Sequence, residues 1–286
     1  MQEDTDMTEV TTTRREAADP RGEWAHSRGP LMSDSYLASR PRAIDRSHAE
    51  NLLEIRPDLR TAAGAVLAAP LAIAMLDAAG INVDPANILA LTQVNIEILD
   101  CAVDVHEAHL EGRVTTEARS QVFTEARICD AADRARPIGF GTANWSVICP
   151  TPKAVVDPGQ SNSVEGPREL PPLWQAYTGR RQADGLLEIP ELRPQIGAGR
   201  LHHGPMLVVT EAAALDAAAD VLETDAVSID SLEMTIVAPG SVGPFVATPV
   251  LVATSADTVG CRVELRDRGR NDRLVAATFV RMREYL

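Results

Sequence analysis

Parts of this chain occur twice. Leu52-Leu53-Glu54-Ile55 recurs as Leu186-Leu187-Glu188-Ile189, an offset of 134. Leu59-Arg60, followed by Gly64-Ala65, recurs as Leu192-Arg193 followed by Gly197-Ala198, an offset of 133. Val94-Asn95-Ile96-Glu97 recurs as Val227-Ser228-Ile229-Asp230, again at 133. Matches at nearly one spacing restrict the fold strongly, pointing to two copies of one structural unit, with coincidence between common apolar dipeptides as the alternative. The expected organisation is a polar arm over residues 1–47, a first unit over 48–149, a Pro- and Gly-rich connection over 150–184 and a second unit over 185–286.

Each copy reads as a short strand or turn, a helix and then four strands. The helices are expected at about Gly64 to Ala79 and Pro205 to Asp220. Strand-like runs follow at Leu89 to Leu99, His109 to Arg119, Gln121 to Ala131 and Ile138 to Ile148, and then at Ser228 to Val237, Pro244 to Thr254, Gly260 to Asp267 and Leu274 to Arg283. Alternation as in Val263-Glu264-Leu265-Arg266, with Gly- and Asp-rich breaks, suits antiparallel hairpins. A helix with an antiparallel meander is an α+β unit, the helix packed on one sheet face. The arm is expected to be disordered to Pro20. Trp24 to Leu37 could dock on the body, and Trp174 and Tyr177 are expected to hold part of the connection against it.

Composition narrows the partners. A net charge of -14 argues against a general nucleic-acid binder, which needs clustered Lys and Arg. Four widely spaced cysteines give neither a disulfide framework nor a CxxC metal motif and fit a reducing cytoplasm. No apolar run reaches membrane-spanning length, so a soluble, cytoplasmic protein is expected.

The chemistry concentrates in Gly199 to Asp220, reading GRLHHGPMLVVTEAAALDAAAD. Leu207, Glu211 and Leu215 stand at i, i+4 and i+8, so the glutamate shares an apolar helical stripe. A carboxyl there loses hydration, its pKa rises, and it becomes a candidate acid, base or nucleophile. The N–H groups of its own first turn, near Gly204-Pro205, are the expected donors to a developing oxyanion. The plainer alternative is a capped helix with a partly exposed glutamate. The first copy has no histidine and no acid here, and places Ala72 opposite Glu211.

With those residues in hand, the chain resembles the hot-dog fold, specifically a double hot-dog of the acyl-CoA thioesterase type. The resemblance rests on the repeated helix-plus-meander unit, the loop His202-His203-Gly204 before the helix, and Glu211 nine residues after His202. It implies Glu211 as nucleophile or base, a polarising N–H at His203 or Gly204, and His202 shaping the loop. Gln195, Leu207, Thr210 and Leu71 are implied as substrate contacts, and an acyl-CoA as substrate, with no cofactor and no metal. The family usually has glycine where this chain has His203. Arg200, Arg262, Arg281 and Arg283 are candidates for the CoA phosphates. One chain already supplies two units, so a monomer and a homo-oligomer both stay open.

Two rivals remain: a silent acyl-CoA-binding or regulatory protein, and an enoyl-thioester hydratase or dehydratase, whose Asp-His pattern is missing here. His106 and His109 stand at a metal-like spacing but in a strand hairpin, where the pair is not expected to ligate. The glycine pairs at Gly139/Gly141 and Gly197/Gly199 lack a dinucleotide context and read as turns.

Overall fold

Val259, Cys261, Val263 and Leu265 are buried, whereas the residues between them are partly exposed. That period of two makes the run a strand with one face on a core. The same logic forms most of the sheet. The computed structural model describes residues 31, 36–45, 47–81, 83, 87–150, 171–197 and 199–285. In the first half these form β1 (Arg42–Ala43), β2 (His48–Glu54), helix α1 (Ala68–Gly80), β3 (Asn87–Ile98), β4 (Glu107–Glu117), β5 (Gln121–Asp130) and β6 (Pro137–Pro150). A one-turn helix, Leu173–Ala176, leads into β7 (Arg180–Arg181), β8 (Leu187–Ile189), helix α2 (His203–Leu222), β9 (Val227–Ile236), β10 (Phe245–Thr254), β11 (Thr258–Asp267) and β12 (Arg273–Glu284).

The strands join in one antiparallel sheet of order β1-β2-β4-β5-β6-β3-β9-β12-β11-β10-β8-β7. Read inward from either edge, the two halves follow the same order, each strand matching the one six places later. The innermost strands β3 and β9 pair from Gln93↔Thr235 to Glu97↔Ser231 and join the halves. Both helices pack on the core side of the sheet, against each other as well as against strands.

The strands fall within about two residues of the expected runs, but the repeat spacing needs correcting. Ala108↔Asp130 in β4/β5 corresponds to Phe245↔Asp267 in β10/β11, an offset of 245 − 108 = 137. The two 3-10 turns, Pro57–Leu59 and Pro194–Ile196, also stand 137 apart. Val94 pairs with Ala143, whose counterpart Val280 pairs with Leu232. Val94 therefore corresponds to Leu232, at 138, and not to Val227. Apolar alternation repeats every two residues, so short matches can sit in the wrong register.

Eleven of the thirteen residues of α1 are buried, as expected for a helix of Ala, Leu, Ile and Met with apolar surface all round. It lies tightly on β4 because Gly112 has no side chain: a Cβ there would stand 2.7 Å from the Ala78 carbonyl carbon and the Ala79 nitrogen. The stretch to Pro20 expected to be disordered and the expected docking of Trp24 lie outside the described residues, as does 151–170 of the connection. Leu37 is buried, and Tyr36 meets Tyr177 edge-on at 5.9 Å between ring centroids. No helix among the described residues is long and apolar enough to cross a membrane.

Candidate active site

Helix α1 begins without a cap of its own. Its N-cap is Leu67, which has no side-chain acceptor to offer, so the first-turn N–H groups lack an internal partner. The partner comes from the other half. Glu211 of α2 accepts hydrogen bonds at Oε1 from the backbone N–H of Ala68 (2.6 Å) and of Ala69 (2.9 Å). Its side chain is therefore fixed at the positive end of the α1 dipole.

Glu211 is only 2% exposed. Burial pushes its carboxyl up to about 8, against the opposing pull of the two backbone N–H groups. Yet it borders open space. Glu211, Val208, Ala212, Leu215 and Asp216 of α2 line a cavity of about 490 Å³ bordered also by Leu67, by Pro57, Asp58 and Arg60 to Ala62, and by Pro172, Leu173 and Trp174.

The cavity rim is held by ion pairs and carbonyls. Arg60 donates to the carbonyls of Gly64 (2.8 Å), Ala102 (2.9 Å) and Val105 (2.5 Å), which fixes the loop before α1. Asp58 accepts from Tyr36 Oη and Arg56 Nε, each at 3.0 Å. Arg181 pairs with Asp216 at 2.8 Å and lies over the Trp174 ring. Burial raises the Asp216 carboxyl, while Arg181 opposes that shift.

The N–H groups bonded to Glu211 are not those of His203 or Gly204, which were expected to polarise the substrate carbonyl. Glu211 stands seven positions after Gly204 on the helix, about 10 Å along the axis. The donors are those of α1. His202 caps α2, its Nδ1 accepting from the Gly204 N–H at 3.5 Å. Burial lowers His202 to about 4 and His203 well below the usual histidine value. His203 stacks against His202 and meets Trp145 of β6 edge-on at 6.3 Å.

None of the four expected substrate contacts lines the cavity. Leu207 and Leu71 lie fully in the core. Thr210 is turned to the sheet: its Oγ1 donates to the Met206 carbonyl at 2.8 Å and accepts from Thr278 Oγ1 at 3.0 Å. Gln195 is exposed on its 3-10 turn. Of the expected phosphate ligands, Arg262 pairs with Glu264, and Arg281 and Arg283 with Asp230, and none lines the cavity. Residues 68–76 of α1 are all apolar, so the first half offers no carboxyl corresponding to Glu211. Asp77, the one acid of α1, accepts from Ser39 Oγ at 2.8 Å.

Sequence reasoning missed Ala68, Ala69, Arg60, Trp174 and Asp216. The signal for the first two was Pro70 in the first turn of α1 beside an apolar N-cap, which marks a helix start with free donors.

No family model and no curated protein sequence matches the chain. Solved structures do. A tesB protein of Mycobacterium avium subsp. paratuberculosis is 10% identical with a TM-score of 0.58, the match covering 86% of this chain and 96% of that one. A conserved protein with a hot-dog fold from Alicyclobacillus acidocaldarius is 11% identical with a TM-score of 0.58, over 90% and 99% of the two chains. An acyl-CoA thioesterase II from Mycobacterium marinum is 12% identical with a TM-score of 0.54, over 90% and 98%. With its antiparallel sheet packed on the two helices, the chain has the hot-dog fold.

Proposed function

We propose that this chain is a tandem double hot-dog that hydrolyses an acyl thioester, with an acyl-CoA as the substrate class and Glu211 as the base. One observation carries the reading: a buried carboxyl of α2 meets the free N–H groups of α1 at the wall of a cavity. An acid and oxyanion donors at one point are what acyl transfer to water requires. The names of the matched structures point the same way.

In this mechanism the acyl group lies against Leu67, Leu173, Val208 and Leu215. The thioester carbonyl oxygen takes the N–H groups of Ala68 and Ala69, displacing Glu211 Oε1. Glu211 then removes a proton from a water as its oxygen bonds to the carbonyl carbon. As the tetrahedral intermediate collapses, the C–S bond breaks and Glu211 returns the proton to the departing thiolate, giving acid and thiol. Because burial raises the Glu211 carboxyl to about 8, the base form grows as pH rises through that value. The rate kcat/KM is expected to rise with it.

The test is thiol release from short, long and aromatic acyl-CoAs by wild type and Glu211→Gln. A loss of about a hundredfold or more in the variant is expected. Equal turnover by both proteins would remove Glu211 from the mechanism. Binding of CoA esters with no turnover on any of them would leave a binding protein instead.

A further inference from the structure

On the outer face of the sheet, far in sequence from α2, two like charges stand directly opposite each other. Glu50 of β2 and Glu111 of β4 are cross-strand partners. Like charges in that position are destabilising unless a cation lies between them. Beside them His109 lies on the same face of β4, two residues from Glu111 and paired in register with Leu52 and Cys129. It is 1% exposed, and its Nε2 is buried without a hydrogen-bond partner. A buried polar atom left unpaired is costly, so this one needs explaining.

The surrounding distances give the explanation. Nε2 stands 3.6 Å from Glu50 Oε1. On the other ring edge, Nδ1 stands 3.8 Å from Cys129 Sγ and 3.8 Å from Glu111 Oε1. One ligand atom each from Glu50, His109 and Glu111 lie within 4.8 Å of one another. Ligands about 2.1 Å from a tetrahedral Zn²⁺ stand about 3.4 Å apart, so small side-chain movements close the shell. Arg42 pairs with the other Glu50 oxygen at 2.9 Å. Arg134, 56% exposed, reaches Glu50 and Glu111 only at 3.6 and 3.8 Å, beyond hydrogen-bond length.

We propose that Glu50, His109 and Glu111 form a binding site for a divalent transition metal of the Zn²⁺ class, with His109 Nε2 as its nitrogen ligand. With its proton on Nδ1, facing Cys129 Sγ, His109 leaves the Nε2 lone pair for the ion. Half-exposed Glu111 leaves the ion open to water on its outer side. The bound ion clamps β2 to β4, and Arg134 swings aside into solvent when it arrives. A histidine with two carboxylates suits zinc better than calcium, which takes oxygen ligands alone.

The test is calorimetric titration of Zn²⁺ into the full chain after chelator treatment. About one ion per chain is expected, and the melting temperature rises with Zn²⁺ concentration. His109→Gln and Glu111→Gln should each weaken binding by about tenfold or more. Circular dichroism checks that the buried His109 variant is folded; the half-exposed Glu111 variant gives an answer that does not depend on it. Arg134→Ala, which removes the competing cation, should bind more tightly than wild type. The site is overturned if the Arg134→Ala chain takes up no Zn²⁺, or if both glutamine variants bind it as tightly as wild type.

Discussion

Replacing Glu211 by glutamine should make the protein more stable at alkaline pH. The glutamine carbonyl can still accept from Ala68 and Ala69, so the shape of the site survives and only the titration is lost. In wild type the carboxyl has a folded-state pKa of about 8 against an ordinary value of 4.5. The folded chain therefore holds a proton that the unfolded chain releases between those values. The stabilisation is complete below the unfolded pKa, falls as pH rises from there, and is gone above about pH 8. At about 1.4 kcal/mol per unit, the gap of 3.5 units is worth on the order of 5 kcal/mol as an upper bound. For a chain of this size that is a difference of about 10 °C in Tm. Thermal melts of both proteins from pH 5 to 9 measure it, and other titrating groups cancel in the difference. The two should melt together near pH 5, with the variant gaining steadily to pH 8. A difference that stays flat over the range, or that favours wild type as pH rises, would refute a neutral buried Glu211.

Other substitutions probe the same architecture. Ala69→Pro removes one donor to Glu211 while keeping a φ suited to a first turn. Thiol release should fall about a hundredfold, as for loss of an oxyanion donor, with the fold intact by circular dichroism. Gly112→Ala would push a methyl group to 2.7 Å from the α1 backbone at Ala78 and Ala79, which cannot yield as a side chain can. A loss of about 1–3 kcal/mol in denaturant unfolding is expected, and an unchanged midpoint would contradict the close packing of α1 on β4.

Much of the fold was legible because the signals were local. Alternation in Val259 to Leu265 and glycine- or aspartate-rich breaks set strand positions that the structure reproduces within a residue or two. Register between the halves was less legible: Val94 to Glu97 matches Val227 to Asp230 by residue type, yet Val94 corresponds to Leu232. A strand's pattern looks alike after any even shift, and only pairing in the sheet fixes which shift is right. In the site, Glu211 could be singled out as an acid on an apolar stripe. Its partners could not be, because they are backbone N–H groups, which every residue except proline possesses. Ala68 and Ala69 matter for where α1 begins and for the missing cap at Leu67. His202 and His203 stood out as polar residues at a helix start, where His202 caps α2 and His203 meets Trp145 edge-on.

The contact between Glu211 and Ala68 spans 143 positions of one chain. In a symmetric pair of identical subunits, one gene segment would have to encode both the acid and the donors, and every substitution would be felt twice. Here the tasks are divided. The α1 segment is free to be a greasy rod with no acid before Asp77 in its last turn, offering Glu211 only the N–H groups of its opening turn. The α2 segment alone bears the cost of a carboxyl kept out of water. In the proposed site a change on either helix alters one side only, so selection could tune wall and acid separately without having to find a single compromise that serves both.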